Sequence, residues 1–414
     1  MTFPPLYRIR QMFDDSCEPD PAGAVRREIE RVDLSARFTE GQTVAVAVGS
    51  RGIQGIAGMV AALVSLLKEM GLSPFIMPAM GSHGRATSEG QKRVLEHLGI
   101  TEASTGAPIR SSMETVSLGR LDSGAEVFIA RDVLEADHLV LINRVKPHTA
   151  FRGPVESGVC KMLAVGCGKH QGALNMHKFG LGQSIAPAAR VILSRLSVLF
   201  GIAVLENANE KTHTVRLVLP ENFVESDAEM LREAFGLFPR IPLDDLDILV
   251  VDEMGKNISG AGMDPNVIGM WRRDGGLRQP DYRTLVVLDL TQESHGNAMG
   301  IGVADLTTRR VIDMLDMQAT YTNALTAGVW TAARLPIALE NDRVALETAL
   351  SRVHDTEKVR MARVTNTLHL GTFWVSAVLL PELGAIGGIE VDESPVELQF
   401  DGRERLLPFP AVGG

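Results

Sequence analysis

The chain has 414 residues, more than a single hydrophobic core usually serves, so we expect two domains. Hydrophobic residues make up 45% of it, 40 residues are glycine and only 5% are aromatic, which is typical of an α/β protein with many tight turns. The formal net charge of -10 excludes a generally basic surface and argues against a nucleic-acid partner.

The segment MTFPPLYRIRQMF at residues 1–13 lacks the apolar core of a signal peptide, and no apolar run in the sequence reaches the length of a membrane span. We therefore expect a cytoplasmic protein without a membrane partner. The three cysteines, Cys17, Cys160 and Cys167, are irregularly spaced. This spacing predicts reduced, structural thiols rather than a disulfide framework or a cysteine-rich zinc site.

The first elements form strand-loop-helix units. The stretch TVAVAVGS predicts a buried strand over residues 43–50, and Arg51 follows directly. Apolar residues at helical spacing predict a helix over residues 59–70. A second apolar run, PFIMPAMGS at residues 74–82, leads to His83 and repeats the unit in outline.

A helix is expected from near Ser88, and a third apolar run, HLVLIN at residues 138–143, leads to His148. Alternating strands and helices predict a parallel sheet, in which ligands bind beyond the carboxyl ends of the strands. Because Arg51, His83 and His148 each follow a predicted strand, we expect these side chains to meet at one edge of the sheet.

The pattern changes near Pro239, before the apolar strand ILVVDEMG that begins at Ile248, so we predict domains at residues 1–245 and 246–414. Later patterns predict strands at 285–290 and 374–379, helices at 304–315 and 343–353, and a short hairpin turning at 401–402. The expected fold is α/β, with two domains of largely parallel sheets flanked by helices. The first would bind the cofactor, the second would contribute to the substrate cleft, and the active site would lie in the cleft between them.

Residues 147–180 carry the densest polar pattern, with three histidines, three lysines, one glutamate and six glycines. Glycines let backbone amides approach a phosphate and lysines supply countercharge, so this region predicts an anionic cofactor or substrate. It contains no Walker A or dinucleotide-binding motif. Taken singly, each candidate also has a structural explanation: His83 could hydrogen-bond a turn, Lys161 could be a surface amine, and His177 could be a satisfied helix residue.

Five motifs taken together are more specific than any one residue: GSRGI (Gly49–Ile53), MGSHG (Met80–Gly84), NRVKPHT (Asn143–Thr149), ESGVCKML (Glu156–Leu163) and HKFG (His177–Gly180). These segments resemble the nickel-pincer lactate racemase family, and more closely its diverged homologues, which are 2-hydroxy-acid racemases and epimerases. The resemblance runs through most of the chain, and its motifs are concentrated in the first 180 residues.

The resemblance implies that Lys161 carries the nickel-pincer nucleotide, a pyridinium-3-thioamide-5-thiocarboxylate mononucleotide with nickel. It implies that His177, sixteen residues later, is the protein ligand of the metal. It also implies that His83 and His148 are alternating bases, and that Arg51 lies near cofactor and substrate. Imidazole is a normal nickel ligand, and its pKa suits proton transfer near neutral pH.

Ser82 and Lys169 are further candidate cofactor contacts. The sequence departs from the family in a longer loop between His148 and Lys161, and in the absence of a clear acidic residue at 48–50. The tyrosine and glutamine expected in the second domain are not recognisable, and residues 252–266 take their place. Candidate substrate contacts are Arg51 and, from the second domain, Lys256, Asn257, Asp264 and His295, although a glycine-rich surface loop is an equal explanation for the 252–266 segment.

The function predicted is an isomerase that racemises or epimerises a 2-hydroxy acid, either a sugar acid or another acid larger than lactate. Removing a proton from C2 would give a dianion, whereas removing hydride avoids it. As the resemblance implies, one histidine takes the hydroxyl proton while hydride passes to the metallated pyridinium. The expected partners are the substrate and the cofactor-making enzymes. The sequence leaves open whether the chain forms a homodimer.

Two other functions stay open at this point. One is a metal-dependent dehydratase or hydrolase in which His83, His148 and His177 bind a metal directly, which requires three imidazoles to converge on one ion. The other is a small-anion-binding protein that uses the glycine-rich segment without reaction chemistry.

Overall fold

The computed structural model describes residues 2–50 and 52–409, with the side chain of Asp274 left out. Arg51 therefore lies outside the described residues. The chain divides into two compact units, which we call the N-terminal unit (Asp14–Phe238) and the C-terminal unit (Pro239–Gly414 with Met1–Phe13). This division differs from the predicted boundary after residue 245, since the first strand and residues 239–245 belong to the C-terminal unit.

The strands are, in chain order, β1 (Leu6–Gln11), β2 (Thr43–Val48), β3 (Ser73–Pro78), β4 (Thr115–Arg120), β5 (Glu126–Ala130), β6 (His138–Arg144), β7 (Val198–Glu206), β8 (Thr212–Val218), β9 (Asp245–Val251), β10 (Asp281–Val287), β11 (Leu306–Thr308), β12 (Ile337–Leu339), β13 (Met361–Val364), β14 (Thr372–Ser376) and β15 (Ile389–Val396). The α-helices are α1 (Pro21–Glu30), α2 (Ile56–Glu69), α3 (Ser88–His97), α4 (Glu102–Thr105), α5 (Arg131–Leu134), α6 (Gly158–Lys161), α7 (Lys169–Lys178), α8 (Leu181–Leu193), α9 (Phe223–Leu237), α10 (Pro265–Ile268), α11 (Trp271–Asp274), α12 (Arg309–Asp313), α13 (Met317–Ala327), α14 (Asp342–Leu350) and α15 (Leu380–Gly384). Both units are mixed α/β, which confirms the predicted fold class.

The N-terminal unit is built on a five-stranded sheet in the order β3-β2-β6-β7-β8. Strands β3, β2, β6 and β7 are parallel, and β8 is antiparallel at the edge. Alternate residues of β2 belong to two separate apolar cores: Ala45 and Ala47 pack in one, and Val44, Val46 and Val48 in the other. A parallel sheet covered on both faces has this continuous apolar pattern, which is why the strand was readable from sequence.

The C-terminal unit has an eight-stranded sheet in the order β12-β11-β10-β9-β13-β14-β1-β15. The first five strands of this order, from β12 through β9 to β13, pair in parallel. The pairs β13–β14, β14–β1 and β1–β15 are antiparallel. Strand β1 lies between β14 and β15, where Leu6 and Ile9 are fully buried. The first residues of the chain are thus integral to the sheet of the C-terminal unit.

Most predicted elements are present with shifted ends. Strand β10 begins four residues before the predicted strand and ends three residues before the end predicted for it, and β14 lies two to three residues earlier than expected. The helix predicted over residues 304–315 was wrong in its first half, because Leu306–Thr308 pairs with β10 and β12 as a parallel strand. The Thr308 side chain then accepts from Val311 N and begins the short helix α12.

None of the described helices combines the length and apolar character needed to cross a membrane. The three cysteines are free thiols, and Cys160 and Cys167 are buried. Burial raises the pKa of the Cys167 thiol to about 12 and raises that of Cys160 further. Buried thiols of this kind stay protonated and act as small apolar side chains.

Candidate active site

Ser50 and the two candidates His83 and His148 follow adjacent parallel strands at the same edge of the N-terminal sheet. Val48 pairs with Pro78 on one side and with Ile142 on the other, so β2, β3 and β6 end together. Ser50 follows β2, His83 follows β3, and His148 follows β6. The edge is the one at which parallel sheets bind ligands.

The loop that carries His83 has an unusual backbone. Gly84, Arg85 and Ala86 form a short turn in which all three residues have positive φ, at 65°, 57° and 54°. Non-glycine residues in this region are strained and persist where the surroundings demand them, often at functional sites. The turn is held by close packing, since a Cβ on Gly90 would lie 1.8 Å from the carbonyl oxygen of Gly84.

The His83 ring is joined to the neighbouring strand end. Its Nδ1 is hydrogen-bonded to the Ser50 hydroxyl, which can donate or accept. Ser82, beside it, is exposed on the same loop. Ser50 was read only as the end of a strand, and its contact with His83 is a feature that sequence reasoning missed.

His148 lies on a loop organised by one buried carboxylate. Glu156 is 1% exposed, and its two oxygens accept from the backbone N–H of His148 at 2.8 Å, the N–H of Gly153 at 3.3 Å and the Arg152 guanidinium at 3.3 Å. Arg152 also donates to the carbonyl oxygen of His148 at 3.1 Å. Burial raises the pKa of Glu156, and these donors together with the charge of Lys161 oppose the rise. The carboxylate thus sets the backbone position of His148.

The His148 ring has a defined orientation within this loop. Its Nδ1 accepts from the backbone N–H of Ala150 at 3.0 Å, so in the neutral ring the proton is on Nε2. The ring packs against Phe151 with centroids 4.4 Å apart. The Lys161 ammonium lies 5.7 Å from the centre of the same Phe151 ring, so Phe151 brings His148 and Lys161 to one place.

Lys161 is the last residue of α6 and is followed at once by a π-helix, Met162–Gly166. The N–H of Cys167 closes this turn on the carbonyl of Met162 at 2.7 Å. Short π-helical segments are rare and occur frequently at functional sites. Asn143, at the end of β6, donates to the carbonyl of Gly158 at 2.7 Å and ties α6 to the sheet edge.

The start of α6 is capped from a distant helix. Asp227 of α9 is 1% exposed and accepts from the N–H groups of Val159 at 3.1 Å and Cys160 at 2.8 Å. Gly158 has a φ of 81°, and a Cβ there would lie 2.1 Å from Asp227 Oδ1. Burial raises the pKa of Asp227 to about 7, and the two amide donors limit the rise. The short helix that ends in Lys161 is therefore capped by a carboxylate that no local sequence motif predicts.

His177 lies near the end of α7 with a solvent-accessible side chain. Partial desolvation by the surrounding protein lowers the pKa of the His177 imidazole, and the positive charge of Lys161 lowers it further. The two side chains are therefore within electrostatic reach of each other. The lowered pKa favours the neutral imidazole, which is the form that binds metals.

Lys169 occupies a different environment from the one expected of a cofactor contact. It is 0% exposed, and its ammonium donates to the carbonyl of Pro78 at 2.7 Å and to Gln91 Oε1 at 3.2 Å. In this conformation it is a buried residue beneath the His83 loop. It has no exposed surface for a phosphate to contact.

The candidates in the C-terminal unit divide into two groups. Lys256 and Asn257 follow β9 and contact the segment after β10: Lys256 N donates to Ser294 Oγ at 2.9 Å, and Asn257 Oδ1 accepts from Thr291 Oγ1 at 2.6 Å. His295 follows Ser294 and is exposed, with a φ of 46°. Asp264 instead caps α10, where it accepts from Asn266 N at 2.9 Å.

Within the part of the chain that the structure describes, no three or more His, Cys, Asp or Glu side chains lie close enough together to hold a metal ion. His83, His148 and His177 therefore do not form a three-imidazole metal site in the described residues. The arrangement offers two imidazoles at a sheet edge, one lysine at a π-helix and a third imidazole within reach of that lysine. Such a set offers imidazoles for proton transfer and a primary amine.

Comparison with known proteins agrees with this architecture. Residues 55–230, which include the strand-end histidines as well as Lys161 and His177, match a family described as a domain of unknown function, DUF362. A comparison with curated proteins gives no significant match.

Two solved structures are similar over most of their length. A structural-genomics target from Thermotoga maritima is 15% identical, covers 78% of this chain and 84% of its own, and has a TM-score of 0.50. The lactate racemase apoprotein from Thermoanaerobacterium thermosaccharolyticum is 13% identical, covers 87% of this chain and 98% of its own, and has a TM-score of 0.55. At these identities the similarity shows the fold: this chain has a distant lactate-racemase-like α/β fold.

Proposed function

We propose that this chain is a racemase or epimerase of a 2-hydroxy acid that works with a nickel-pincer nucleotide held by Lys161 and His177. The observation that carries the proposal is the position of Lys161 beside a π-helix and against the Phe151 ring, which also packs on His148; the charge of Lys161 further lowers the pKa of His177. The lactate-racemase-like fold supports the same reaction class.

The residues present suit such a group. Lys161 offers a primary amine for a covalent bond, and His177 offers a neutral imidazole, which suits nickel. A pincer ligand would supply nickel with donors in addition to the imidazole of His177. Direct binding of a metal by three histidines has no comparable support.

When bound, the metallated pyridinium ring supplies a hydride acceptor for C2 of the substrate. The protein's own residues then manage the hydroxyl proton. The O–H bond breaks as a proton passes to a ring nitrogen of His83 or His148, and the reverse transfer on the opposite face completes racemisation. A positioned base of this kind contributes about 10²- to 10⁴-fold in rate.

The geometry of His148 suggests how the two histidines divide this work. With Nδ1 engaged by Ala150, the neutral ring has an Nε2–H that donates to a substrate oxygen. His83 faces a hydroxyl at its Nδ1 and accommodates either tautomer, because the Ser50 hydroxyl serves as donor or acceptor. We therefore assign His83 as the proton acceptor in the state described, and exchange of roles requires a change of tautomer at His148.

The substrate belongs to this proposal as a class. The longer segment between His148 and Lys161, and the replacement of the family's second-domain tyrosine and glutamine, favour a sugar acid or another 2-hydroxy acid larger than lactate. Lys256 and Asn257 follow β9 in the C-terminal unit, where they are hydrogen-bonded to the segment after β10.

The test is co-expression of the chain with nickel-pincer-making enzymes, followed by intact mass and elemental analysis. The wild type should carry a covalent adduct and nickel, Lys161→Ala should lose both, and the exposed control Lys92→Ala should keep both. A panel of 2-hydroxy acids deuterated at C2 should then be racemised in ordinary water with the deuterium retained. A wild type that carries no adduct at Lys161 in this co-expression contradicts the proposal.

Two further variants test the bases. His83→Ala and His148→Ala should keep the adduct and lose racemisation. Either variant with full activity would remove that histidine from the mechanism. Loss of deuterium to solvent during racemisation would indicate proton abstraction at C2 and contradict hydride transfer.

A further inference from the structure

A buried lysine lies beneath the loop that carries His83. Lys169 is 0% exposed and has a φ of 52°, a backbone conformation that non-glycine residues rarely adopt. Desolvation by burial lowers its pKa to about 8. Because burial of an ammonium and a positive φ both cost free energy, a residue that has both is held there by its surroundings.

The ammonium of Lys169 is joined to the His83 loop in two ways. It donates directly to the carbonyl of Pro78, the last residue of β3, at 2.7 Å. It also donates to Gln91 Oε1 at 3.2 Å, and the amide nitrogen of Gln91 donates to the carbonyls of Gly81 at 2.8 Å and His83 at 3.3 Å. The start and the end of the segment 78–83 are thus bonded to one buried network.

Gln91 is as buried as Lys169, with 0% exposure. The side-chain oxygen of Gln91 accepts from Lys169, and its nitrogen donates to the His83 loop. This orientation follows from the donors and acceptors around the amide. An ammonium can only donate, and a backbone carbonyl can only accept. Gln91 therefore links the Lys169 ammonium to the backbone carbonyl of His83 through hydrogen bonds.

The same loop rests on the segment that follows Lys161. Gly81 N donates to the carbonyl of Gly166, the last residue of the π-helix, at 3.3 Å. A Cβ on Gly166 would lie 2.5 Å from the carbonyl oxygen of Ala79, so the two backbones are in direct contact. Lys169 follows three residues later as the first residue of α7, the helix that also carries His177.

We infer that Lys169 and Gln91 are positioning residues that hold His83 in place for proton transfer. This inference rests on the proposed function for the role of His83, although the contacts themselves do not depend on it. The sequence made Lys169 a candidate cofactor contact, and in the structure its ammonium is buried and bonded to Pro78 and Gln91. Both side chains are buried and act through the backbone of segment 78–83.

Three variants test the inference. Lys169→Met keeps an unbranched side chain that is one heavy atom shorter and removes its donors. Gln91→Glu keeps an acceptor for Lys169 but cannot donate to the Gly81 and His83 carbonyls, so it loosens the loop while retaining the buried lysine pairing. Lys92→Met, an exposed neighbour on α3, is the matched control.

The first measurement is hydrogen exchange of the apoprotein, which needs neither cofactor nor substrate. Lys169→Met and Gln91→Glu should each speed exchange in residues 79–87 by about tenfold or more, which corresponds to a loss of about 1.4 kcal/mol of local stability. Exchange in β2 should stay unchanged, and Lys92→Met should match the wild type. If Lys169→Met does not fold, Gln91→Glu alone decides. Wild-type exchange in every variant that folds would overturn the inference.

The second measurement uses the loaded enzyme. Both variants should keep the Lys161 adduct and the substrate KM, and lose about 10- to 100-fold in kcat, because a base displaced by about 1 Å transfers protons poorly. Faster exchange with unchanged kcat would make the network merely structural and would overturn the positioning role. A wild type that forms the adduct but has no racemase activity would instead refute the proposed function and leave the exchange result standing.

Discussion

His148 Nδ1 accepts a hydrogen bond from the backbone N–H of Ala150 at 3.0 Å, two residues further along the loop. This contact is local, yet it decides which nitrogen of the neutral ring carries the proton. Glu156 supports it by fixing the backbone of His148 from the other side. The contacts in this loop therefore fix the tautomer of the neutral His148 ring, and that tautomer can be measured.

The first prediction concerns that tautomer. In apoprotein labelled with ¹⁵N-histidine, at a pH above the ordinary histidine pKa, the His148 ring should show the pattern of an Nε2–H tautomer, because Nδ1 is an acceptor. Long-range ¹H–¹⁵N spectra report this directly, and His148→Gln identifies the signal by its absence. An Nδ1–H pattern would contradict the described contact.

The second prediction concerns the pH dependence at Asp227. Its pKa is about 7 in the folded protein and 3.8 for a freely exposed aspartate, so between these values the folded protein holds a proton that the unfolded chain releases. The resulting stability is fully present below pH 3.8 and is lost as the pH rises through about 7. The local stability of residues 158–166 should therefore fall with pH more steeply in the wild type than in Asp227→Asn.

The difference in slope is at most about 1.4 kcal/mol per pH unit between the two pKa values. Hydrogen exchange of residues 158–166, corrected for the intrinsic pH dependence of exchange, measures it. Glu156, whose pKa is also raised, is present in both proteins, so its contribution cancels. Parallel pH profiles for wild type and Asp227→Asn would refute the prediction.

The third prediction concerns Gly158. An alanine there would need a φ of 81° and would place its Cβ 2.1 Å from Asp227 Oδ1, so Gly158→Ala should destabilise the N-terminal unit by about 1–3 kcal/mol. Gly236 is a matched control, because it lies in α9 with nothing within 4 Å of an added Cβ. Gly236→Ala should be neutral or stabilise by about 0.5–1 kcal/mol.

Pulse proteolysis in urea, resolved by mass, can follow the N-terminal unit in both glycine variants. Aromatic fluorescence is unsuitable there, because the three tryptophans and three tyrosines of the chain all belong to the C-terminal unit. Equal stability of the two variants would contradict the close approach of Gly158 to Asp227.

The fourth prediction concerns a buried ion pair in the C-terminal unit. Arg363 is 2% exposed and bonds both carboxylate oxygens of Asp252, at 2.7 and 3.1 Å. It also donates to the carbonyl of Leu407 at 2.9 Å and stacks on Phe409. Arg363→Met leaves the Asp252 carboxylate, whose side chain is 25% exposed, without its partner, so it should cost up to about 3–5 kcal/mol of unfolding free energy.

Tryptophan fluorescence during urea unfolding measures this change, since all tryptophans lie in the C-terminal unit. The control is Arg10→Met, which breaks an exposed pair with Glu390 at 3.7 Å and should cost about 0–1 kcal/mol. Losses of similar size in the two variants would contradict a larger contribution of the Arg363–Asp252 pair to the free energy of unfolding.

Part of the fold could be read from local pattern. Strands β2, β3 and β6 were predicted because a parallel sheet buried on both faces needs continuous apolar runs, and α2 because its apolar residues recur at helical spacing. The shared sheet edge of His83 and His148 followed from the alternation of these elements. Strand β11 was missed, since three residues are too short for a period to appear.

The sequence by itself determined the α/β class and the order of the main elements, and through its motifs it named His83, His148, Lys161 and His177 as candidates. Only the tertiary structure decided how these residues are held, because the groups that hold them are distant in the chain: Asp227 caps a helix 67 residues away, and Lys169 bonds a glutamine 78 residues away. Local patterns record burial and period, whereas a buried carboxylate or ammonium reveals its role only through the donors and acceptors that folding brings to it.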